Sequence, residues 1–411
     1  MKKIIAIIIT LFLVSSCRQS DDLTNNILKF YGDALEDVGY SIADAGDGIV
    51  IGGQITEVVR TSPDSINLRL SKTKMAIVKT DYNGTVIWQK GYGDQRPSVG
   101  KKAIVLDDGS IVCVGYVVDT VTLLQDIYIV KVNSVGDVLK QFEYKTDGDN
   151  ANQYATDIVK TSGGGFLVLA ATDAFRAPDA ESAGNEFGKK DILTLKISDD
   201  LDLESYPLAF GFPGNDEGVA IKQDGAGYIV LATTDRSEPG TSQGANNILI
   251  MNVNLQGKVI KNKIIGSAAA EKATGIDVQS DGYIIAATIE SDAQSQYGYV
   301  WKLSQDIYAP PTYEHRIDIP STSSYSINAI TRYKSSSYVM AGQSGTGSSA
   351  RMVVFLTDNE GNLQTQNVVF SGGTGSQAIN GIVVDADGNI YSTGSNKYES
   401  NTMIALLKFR F

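Results

Sequence analysis

The stretch from Lys74 to Tyr116 decides the fold. It contains the segments KMAIVKTDYNG (74–84), TVIWQKGYGD (85–94), KKAIVLDDG (101–109) and SIVCVGY (110–116). Each segment includes a short run of Val, Ile or aromatic residues bounded by turn residues, which is typical of a β-strand. Asn83-Gly84 and Asp108-Gly109 favour tight hairpins, with positive φ at both central positions. The stretch therefore predicts four short strands joined by turns and one loop.

This unit recurs along the chain. Its landmark is an Ile, usually preceded by a small residue and followed by a turn and an apolar run that ends in a small residue. The landmarks are Ile42, Ile104, Ile158, Ile221, Ile276, Ile330 and Ile382, preceded by Ser41, Ala103, Asp157, Ala220, Gly275, Ala329 and Gly381. The apolar runs end at Gly53, Gly115, Ala171, Thr233, Ala287, Gly342 and Gly394, which are 52–62 residues apart. Four strands in a repeat of this length, with no helical period, are typical of a β-propeller blade.

The sequence therefore predicts an all-β fold, a seven-bladed β-propeller over residues 25–411 with four antiparallel strands in each blade. Its two ends are expected to share the last blade. Residues 27–33 (ILKFYGD) match the fourth strand at residues 87–94 (IWQKGYGD), whereas residues 403–409 (MIALLKF) match a third strand at 127–132 (IYIVKV). Pairing the N-terminal strand with the C-terminal one would close the ring and cover its open edges.

Residues 1–16 are predicted to be a signal peptide. Two lysines precede an apolar run over residues 4–14, which is too short to span a bilayer. The sequence Val14-Ser15-Ser16-Cys17 resembles the lipobox of bacterial lipoproteins, which implies lipidation of Cys17, with residues 17–24 as a tether. An ordinary secretory signal with a chance cysteine is the alternative. The pair Asp21-Asp22 resembles an export signal for the outer surface, which implies an outer-membrane lipoprotein that faces the cell exterior.

Charge and cysteine content exclude several partners. The formal net charge is −12, and it becomes −14 without Lys2 and Lys3. An acidic surface repels nucleic acid and anionic membranes, so the lipid anchor is the expected membrane contact, and no nucleic acid is expected as a partner. If Cys17 is lipidated, Cys113 has no disulfide partner, and its apolar strand predicts a buried, inert thiol.

The sequence offers few candidates for chemistry. The single histidine, His315, falls on a predicted outer strand, and we expect no cofactor and no metal. The DADGN sequence at residues 385–389 resembles a calcium loop but lies where each blade has a tight turn. Asp157 places a carboxylate near the central channel, where it could bind a cation or a polar ligand, or simply be hydrated. A pair of carboxylates that catalyses glycoside hydrolysis is an alternative, because the distance between acidic side chains cannot be read from the sequence.

Two classes of connection are expected on opposite faces of the ring. The turns between strands one and two and between strands three and four are short, and they form what we call the tight-turn face. The remaining connections are longer and form the long-loop face, where function usually resides on rigid scaffolds. Aromatic and charged residues predicted to bind a ligand there are Tyr92, Arg96, Tyr154, Phe175, Arg176 and Tyr325.

Beyond residue 17 the chain resembles the repeat-built β-propellers of secreted and surface lipoproteins of Gram-negative bacteria. Their third strands end in Lys, as here at Lys79, Lys131, Lys196, Lys302 and Lys408, with Asn252 and Leu356 in the other two blades. The resemblance implies a fold and a location on the cell surface, but no single activity. The leading interpretation is a non-catalytic binding module for a glycan or a protein. The alternatives are a carboxylate-dependent glycoside hydrolase or lyase, and a structural subunit of an outer-membrane assembly.

Overall fold

The computed structural model describes residues 26–32, 35–62, 65–66, 71–145, 151–173, 189–237, 244–292, 295–320, 322–335, 337–371, 375–399 and 401–411. These residues form seven four-stranded antiparallel sheets arranged as blades. The predicted seven-bladed β-propeller is confirmed. In this part of the chain, the helical element is a single 3-10 turn, Gly347–Ser349. No helix there has the length and apolar character needed to cross a lipid bilayer.

The chain begins with β1 (Ile27–Tyr31) and then builds the blades in order, each from the innermost strand outwards. Blade one contains β2 (Val38–Asp44), β3 (Ile49–Glu57), β6 (Lys72–Thr80) and β7 (Val86–Tyr92), with a small hairpin of β4 (Arg60–Ser62) and β5 (Ser65–Ile66) between β3 and β6. Blade two contains β8 (Ser98–Val105), β9 (Ile111–Val118), β10 (Gln125–Val132) and β11 (Val138–Tyr144). Blade three contains β12 (Gln153–Lys160), β13 (Phe166–Thr172), β14 (Asp191–Ile197) and β15 (Leu208–Phe210).

The second half of the ring repeats this order. Blade four contains β16 (Asp216–Asp224), β17 (Gly227–Thr234), β18 (Asn247–Val253) and β19 (Val259–Ile265). Blade five contains β20 (Ala270–Gln279), β21 (Gly282–Asp292), β22 (Ser295–Ser304) and β23 (Tyr313–Arg316). Blade six contains β24 (Tyr325–Tyr333), β25 (Ser337–Ser344), β26 (Arg351–Asp358) and β27 (Leu363–Ser371). Blade seven contains β28 (Ser376–Val384), β29 (Ile390–Tyr398) and β30 (Asn401–Phe409), and β1 is its outermost strand.

The predicted closure by the N-terminal strand is confirmed. β1 pairs antiparallel with β30, from Ile27 opposite Lys408 to Tyr31 opposite Ile404. The Tyr31 hydroxyl donates a hydrogen bond of 2.9 Å to the Gly84 carbonyl of blade one. Tyr92, at the matching position of blade one, makes the same bond to Gly136 of blade two. The N-terminal segment therefore acts as a fourth strand in both its pairing and its contact with the next blade.

The hydrophobic core lies between the blades. In the described residues, seven clusters of buried apolar side chains each join two neighbouring blades, so the clusters form a continuous ring. The cluster between blades seven and one includes Tyr31, Ile404 and Leu406 on one side and Ile49 and Ile51 on the other. Third strands are buried on both faces because each lies between two blades, as their apolar runs predicted.

The turns between third and fourth strands differ from the expected two-residue hairpins. Asp81 N donates to Thr85 O (2.9 Å) and Gly84 N donates to Asp81 O (3.0 Å). Gly84 has a φ of 73°, but Asn83 does not have positive φ, so the expectation of two such residues was wrong. The Asp81 carboxylate accepts hydrogen bonds from the backbone N–H groups of Asn83 and Thr85, which fixes an Asx turn. The same side-chain arrangement recurs at Asn133, Asn254 and Asp358.

Three other expectations concern individual residues of the scaffold. Cys113 is a free, fully buried thiol on β9, and burial raises its pKa to about 12. His315 lies on β23, the outermost strand of blade five, as predicted. The Asp385 carboxylate accepts hydrogen bonds from the N–H groups of Asp387 and Asn389, so it serves a tight turn.

Candidate functional site

The first strand of every blade contains a β-bulge at the same place. In blade one, Gly39 and Ser41 pair with adjacent residues of β3, and Tyr40 between them is left over. A bulge adds one residue and redirects its side chain. Because the first strands surround the ring axis, the extra side chains line the central channel. We call these seven residues the collar: Tyr40, Lys101, Thr156, Val219, Thr274, Asn328 and Asn380.

The collar divides the channel into two chambers, and all seven collar residues line both. The entry chamber, on the long-loop side, has a volume of about 650 Å³ and is also lined by Tyr154 and Glu217, near the starts of β12 and β16. The inner chamber, towards the tight-turn face, has a volume of about 240 Å³. It is also lined by Lys102, Asp157 and Lys222. The channel is therefore wider on the face where the long connections lie.

Hydrogen bonds between blades fix one side of the collar. Three collar side chains each donate to the carbonyl that precedes the bulge of the next blade. These bonds are Thr274 Oγ1 to Ile327 O (2.7 Å), Asn328 Nδ2 to Ile379 O (2.8 Å) and Asn380 Nδ2 to Gly39 O (2.9 Å). The side chains of blades five to seven therefore hold a defined orientation around the axis.

Asp157 lies beside the collar, as the sequence indicated, but it is tied into the backbone. Its side chain is buried, and its carboxylate accepts hydrogen bonds from the N–H groups of Ile158 and Ile221, both at 2.9 Å. Because Ile221 belongs to blade four, Asp157 joins two blades. Within the described residues, no group of three or more His, Cys, Asp or Glu side chains is close enough to hold a metal ion.

The strand pairing of blade two corrects the alignment of that blade with the other repeats. Strand pairing places Lys102 opposite Val114, just after the bulge, where blade one has Ser41 opposite Gly52. Lys102, and not Ala103, therefore occupies the position that is small in the other blades except blade three, where it is Asp157. Its Nζ lies 3.9 Å from Asp157 Oδ1. This shift could not be predicted from the sequence, because the bulge is a backbone feature and the Ile landmark falls one residue later in this blade.

Tyr154 lines the entry chamber in a polar cluster. Its hydroxyl donates to Glu217 Oε1 at 2.7 Å, and Lys190 Nζ lies 3.3 Å from Glu217 Oε2 and 5.3 Å from the Tyr154 ring centroid. Burial, together with the Glu217 charge, raises the pKa of Tyr154, so the phenol stays neutral and donates. Six residues are predicted to bind a ligand, and the structure describes four of them: Tyr92, Arg96, Tyr154 and Tyr325. Of these four, Tyr154 lies on the channel wall.

Lys101 extends over an aromatic surface in the collar. Its Nζ lies 4.2 Å from the Tyr40 ring centroid and 6.0 Å from that of Tyr116. Cation–π contact of this kind holds an ammonium group without neutralising its charge. Burial lowers the pKa of Lys101 and raises the pKa of Tyr40 to about 12.

Comparisons with known proteins concern the fold. No family model matches the chain, and no curated protein matches it. Among solved structures, a puromycin hydrolase mutant complexed with PGG is 10% identical, with a TM-score of 0.51 over 88% of this chain and 50% of that chain. The β-propeller domain of the Trilobed protease from Pyrococcus furiosus, with an open velcro topology, is 10% identical over 92% of this chain and 96% of that chain, with a TM-score of 0.45. A protein of unknown function from Bacteroides caccae is 11% identical over 68% of this chain and 81% of that chain, with a TM-score of 0.37. At such identities, the likeness is one of fold alone.

Tyr92 and Tyr325 lie inside the scaffold. Their side chains are 4% and 3% exposed. The Tyr92 hydroxyl bonds to Gly136 of the next blade, and the Tyr325 hydroxyl donates to the carbonyl of Ile317. Their predicted contact with a ligand stays a prediction, and their burial weighs against it.

Arg96 lies in the link between blades one and two. Its guanidinium bonds to Asp94 and, through two nitrogens at 2.9 and 2.6 Å, to both carboxylate oxygens of Glu143 on β11. A paired fork of this kind fixes the link against the outer strand. Phe175 and Arg176, also predicted to bind a ligand, and the predicted lipidation site Cys17 lie outside the described residues.

The structure also shows a ring of buried polar side chains that the sequence did not reveal. Each lies three residues before a collar residue, where the chain enters the blade, and each is 0–3% exposed: Asp37, Ser98, Gln153, Asp216, Glu271, Tyr325 and Gln377. Asp216 Oδ2 accepts a hydrogen bond from Phe212 N, and Glu271 Oε1 accepts one from Ser267 N. Burial raises the pKa of Asp216 to about 6. The position is hard to recognise in the sequence because its residue types vary from blade to blade. Tyr325 occupies this position in blade six, and it is buried there like its counterparts in the other blades.

Proposed function

We propose that the protein is a non-catalytic binding module that recognises a glycan or a protein at the long-loop face, around the mouth of the channel. The entry chamber carries this proposal. Its volume of about 650 Å³ lies within the ~300–1,000 Å³ range of ligand pockets. Tyrosine, amide and charged side chains line it, and such groups stack on sugars or bond to hydroxyl and peptide groups.

The state of the channel carboxylates favours binding over hydrolysis. Asp157 accepts two backbone hydrogen bonds, and Glu217 accepts bonds from Tyr154 and Lys190. A glycoside hydrolase needs two carboxyl groups that face the scissile bond, one as general acid and one as base or nucleophile. Here both carboxylates are engaged by donors of the channel wall, so we assign them to holding that wall.

The proposed cellular location is the outer surface of a Gram-negative outer membrane. The support is the lipobox-like sequence that ends at Cys17 and the acidic pair Asp21-Asp22. A lipid on Cys17 would tether the ring through the short segment before β1. A binding module held in this way would present its ligand to partners in the same membrane.

The test compares an aromatic residue of the entry chamber with one on the opposite face. A glycan array and a pull-down from cell envelopes identify the ligand, and titration then measures its affinity for each variant. Tyr154→Ala should weaken binding by ~2 kcal/mol, roughly 30-fold, because it removes part of the chamber wall and one of the two hydrogen-bond donors to Glu217. The control is Tyr308→Ala, since Tyr308 is 56% exposed and lies between β22 and β23 on the tight-turn face. Equal losses in both variants, or a loss in Tyr308→Ala alone, would show that the ligand does not use the entry chamber.

A further inference from the structure

We infer that the ligand carries an oxyanion, a carboxylate or a phosphate on a hydroxylated skeleton, which binds at the collar beside Lys101, Lys102 and Lys222. This inference rests on the proposed function, because it takes the channel as the ligand site. It adds the chemical class of the ligand and the part of the channel that recognises it.

The first argument is a local reversal of charge. Three lysines line the inner chamber, and Asp157 is the one carboxylate that lines it among the described residues. The whole chain, in contrast, has a net charge of −12. An excess of cations at the axis of an acidic protein, enclosed by the seven blades, attracts an anion and repels other cations.

The second argument is that the neighbouring carboxylates already have partners. Asp157 accepts two backbone hydrogen bonds, and its contact with Lys102 is long, at 3.9 Å. Asp277, on the strand next to Lys222, pairs with Arg332 at 2.8 Å. In the part of the chain that the structure describes, no ion pair within 4.0 Å joins Lys101 or Lys222 to a carboxylate. Their charges are therefore open to a ligand.

The third argument is energetic. Burial lowers the pKa of Lys101, and burial and then the nearby charge of Lys102 lower that of Lys222. The Lys222 side chain is exposed to solvent within the narrow inner chamber, so it is also close to many protein atoms of the channel wall. A lowered lysine pKa means that the charged form destabilises the folded state at neutral pH. This cost is fully present below the lowered pKa and is lost as the pH rises from it to the ordinary lysine value. A bound anion would offset the same cost.

The fourth argument concerns the opposite wall. Thr274, Asn328 and Asn380 use side-chain donors to hold the next blade. The amide oxygens of Asn328 and Asn380 thus remain as acceptors for groups in the channel. Acceptors on blades six and seven and lysines on blades two and four suit a molecule with hydroxyl donors on one side and an oxyanion on the other, as in an acidic sugar.

The test uses calorimetric titration of the full chain with three probes: glucuronate, glucose 6-phosphate and glucose. We expect one or both anions to bind, with the preferred one identifying carboxylate or phosphate, and glucose to bind at least ~10-fold more weakly. Lys102→Gln and Lys222→Gln should each weaken anion binding by ~10-fold or more. The control is Lys397→Gln, because Lys397 is an exposed lysine on β29 that lines neither chamber, and its affinity should not change.

Two further readouts separate binding from a structural role. The ligand-free Lys222→Gln variant should melt at or above the wild-type temperature, because it removes an uncompensated charge. Anion affinity should fall as the pH rises through the lowered lysine pKa values. The inference is overturned if neither anion binds to the wild type, or if the lysine variants bind as the wild type does. A neutral ligand that Tyr154→Ala loses and Lys222→Gln keeps would leave the proposed function standing without the inference.

Discussion

A chain in which residues 26–32 are replaced by a Gly/Ser sequence of equal length should unfold at a temperature about 5 °C lower than the wild type. The change removes the ladder between β1 and β30, from Ile27 to Tyr31, and the Tyr31 bond to Gly84. It also exposes Ile404 and Leu406, which are 0% and 1% exposed in the closed blade. Lost burial and an open strand edge should cost about 4 kcal/mol, which gives this shift for a chain of this length.

The matched control replaces residues 119–124 by a Gly/Ser sequence of the same length. This loop joins β9 to β10, and its Val121 and Leu123 are 89% and 74% exposed. The control should melt close to the wild type in a calorimetric scan. Equal melting temperatures for the wild type and the β1 variant would mean that the ring does not depend on its N-terminal strand for closure.

Cys17→Ala should leave the precursor unlipidated and poorly processed, if the lipobox-like sequence acts as proposed. Acyl chains contribute ~0.8 kcal/mol for each buried CH₂ group, so a variant without them would lack the proposed anchor. The measurement is incorporation of a labelled fatty acid in cells, followed by partition into detergent. Ser20→Ala, which leaves the whole lipobox-like sequence in place, serves as the control. A Cys17→Ala protein that still carries labelled fatty acid would rule out the lipobox.

The sequence predicted the scaffold well because its strongest signals are local. Third strands can be recognised in the sequence as apolar runs, because they are buried on both faces. The landmark Ile residues fall on the first strands. The shared Tyr-Gly-Asp sequence after Phe30 and after Gly91 identified β1 as a fourth strand, and Tyr31 and Tyr92 make the same bond. These features depend on strand periodicity and on contacts that repeat in each blade.

The site was much less predictable, because backbone irregularities create it. A bulge redirects one side chain per blade into the channel, but residues as different as Tyr40, Val219 and Asn380 occupy that position. The same effect shifted the sequence alignment of blade two and concealed Lys102. Tyr92 and Tyr325 are predicted to bind a ligand because they are aromatic residues near long links. In the structure, their hydroxyl groups donate hydrogen bonds to backbone carbonyls and so join backbone segments.

Hydrogen exchange with and without ligand tests most directly whether the channel is the binding site. With the ligand identified on the array or in the pull-down, we expect slower amide exchange in residues 151–157, 214–220 and 270–275, where the first strands of blades three to five enter the entry chamber. The tight turns at residues 106–110, 133–137 and 385–389 should exchange at the same rate in both states. Protection confined to those turns, with none in the entry segments, would contradict a ligand site in the channel.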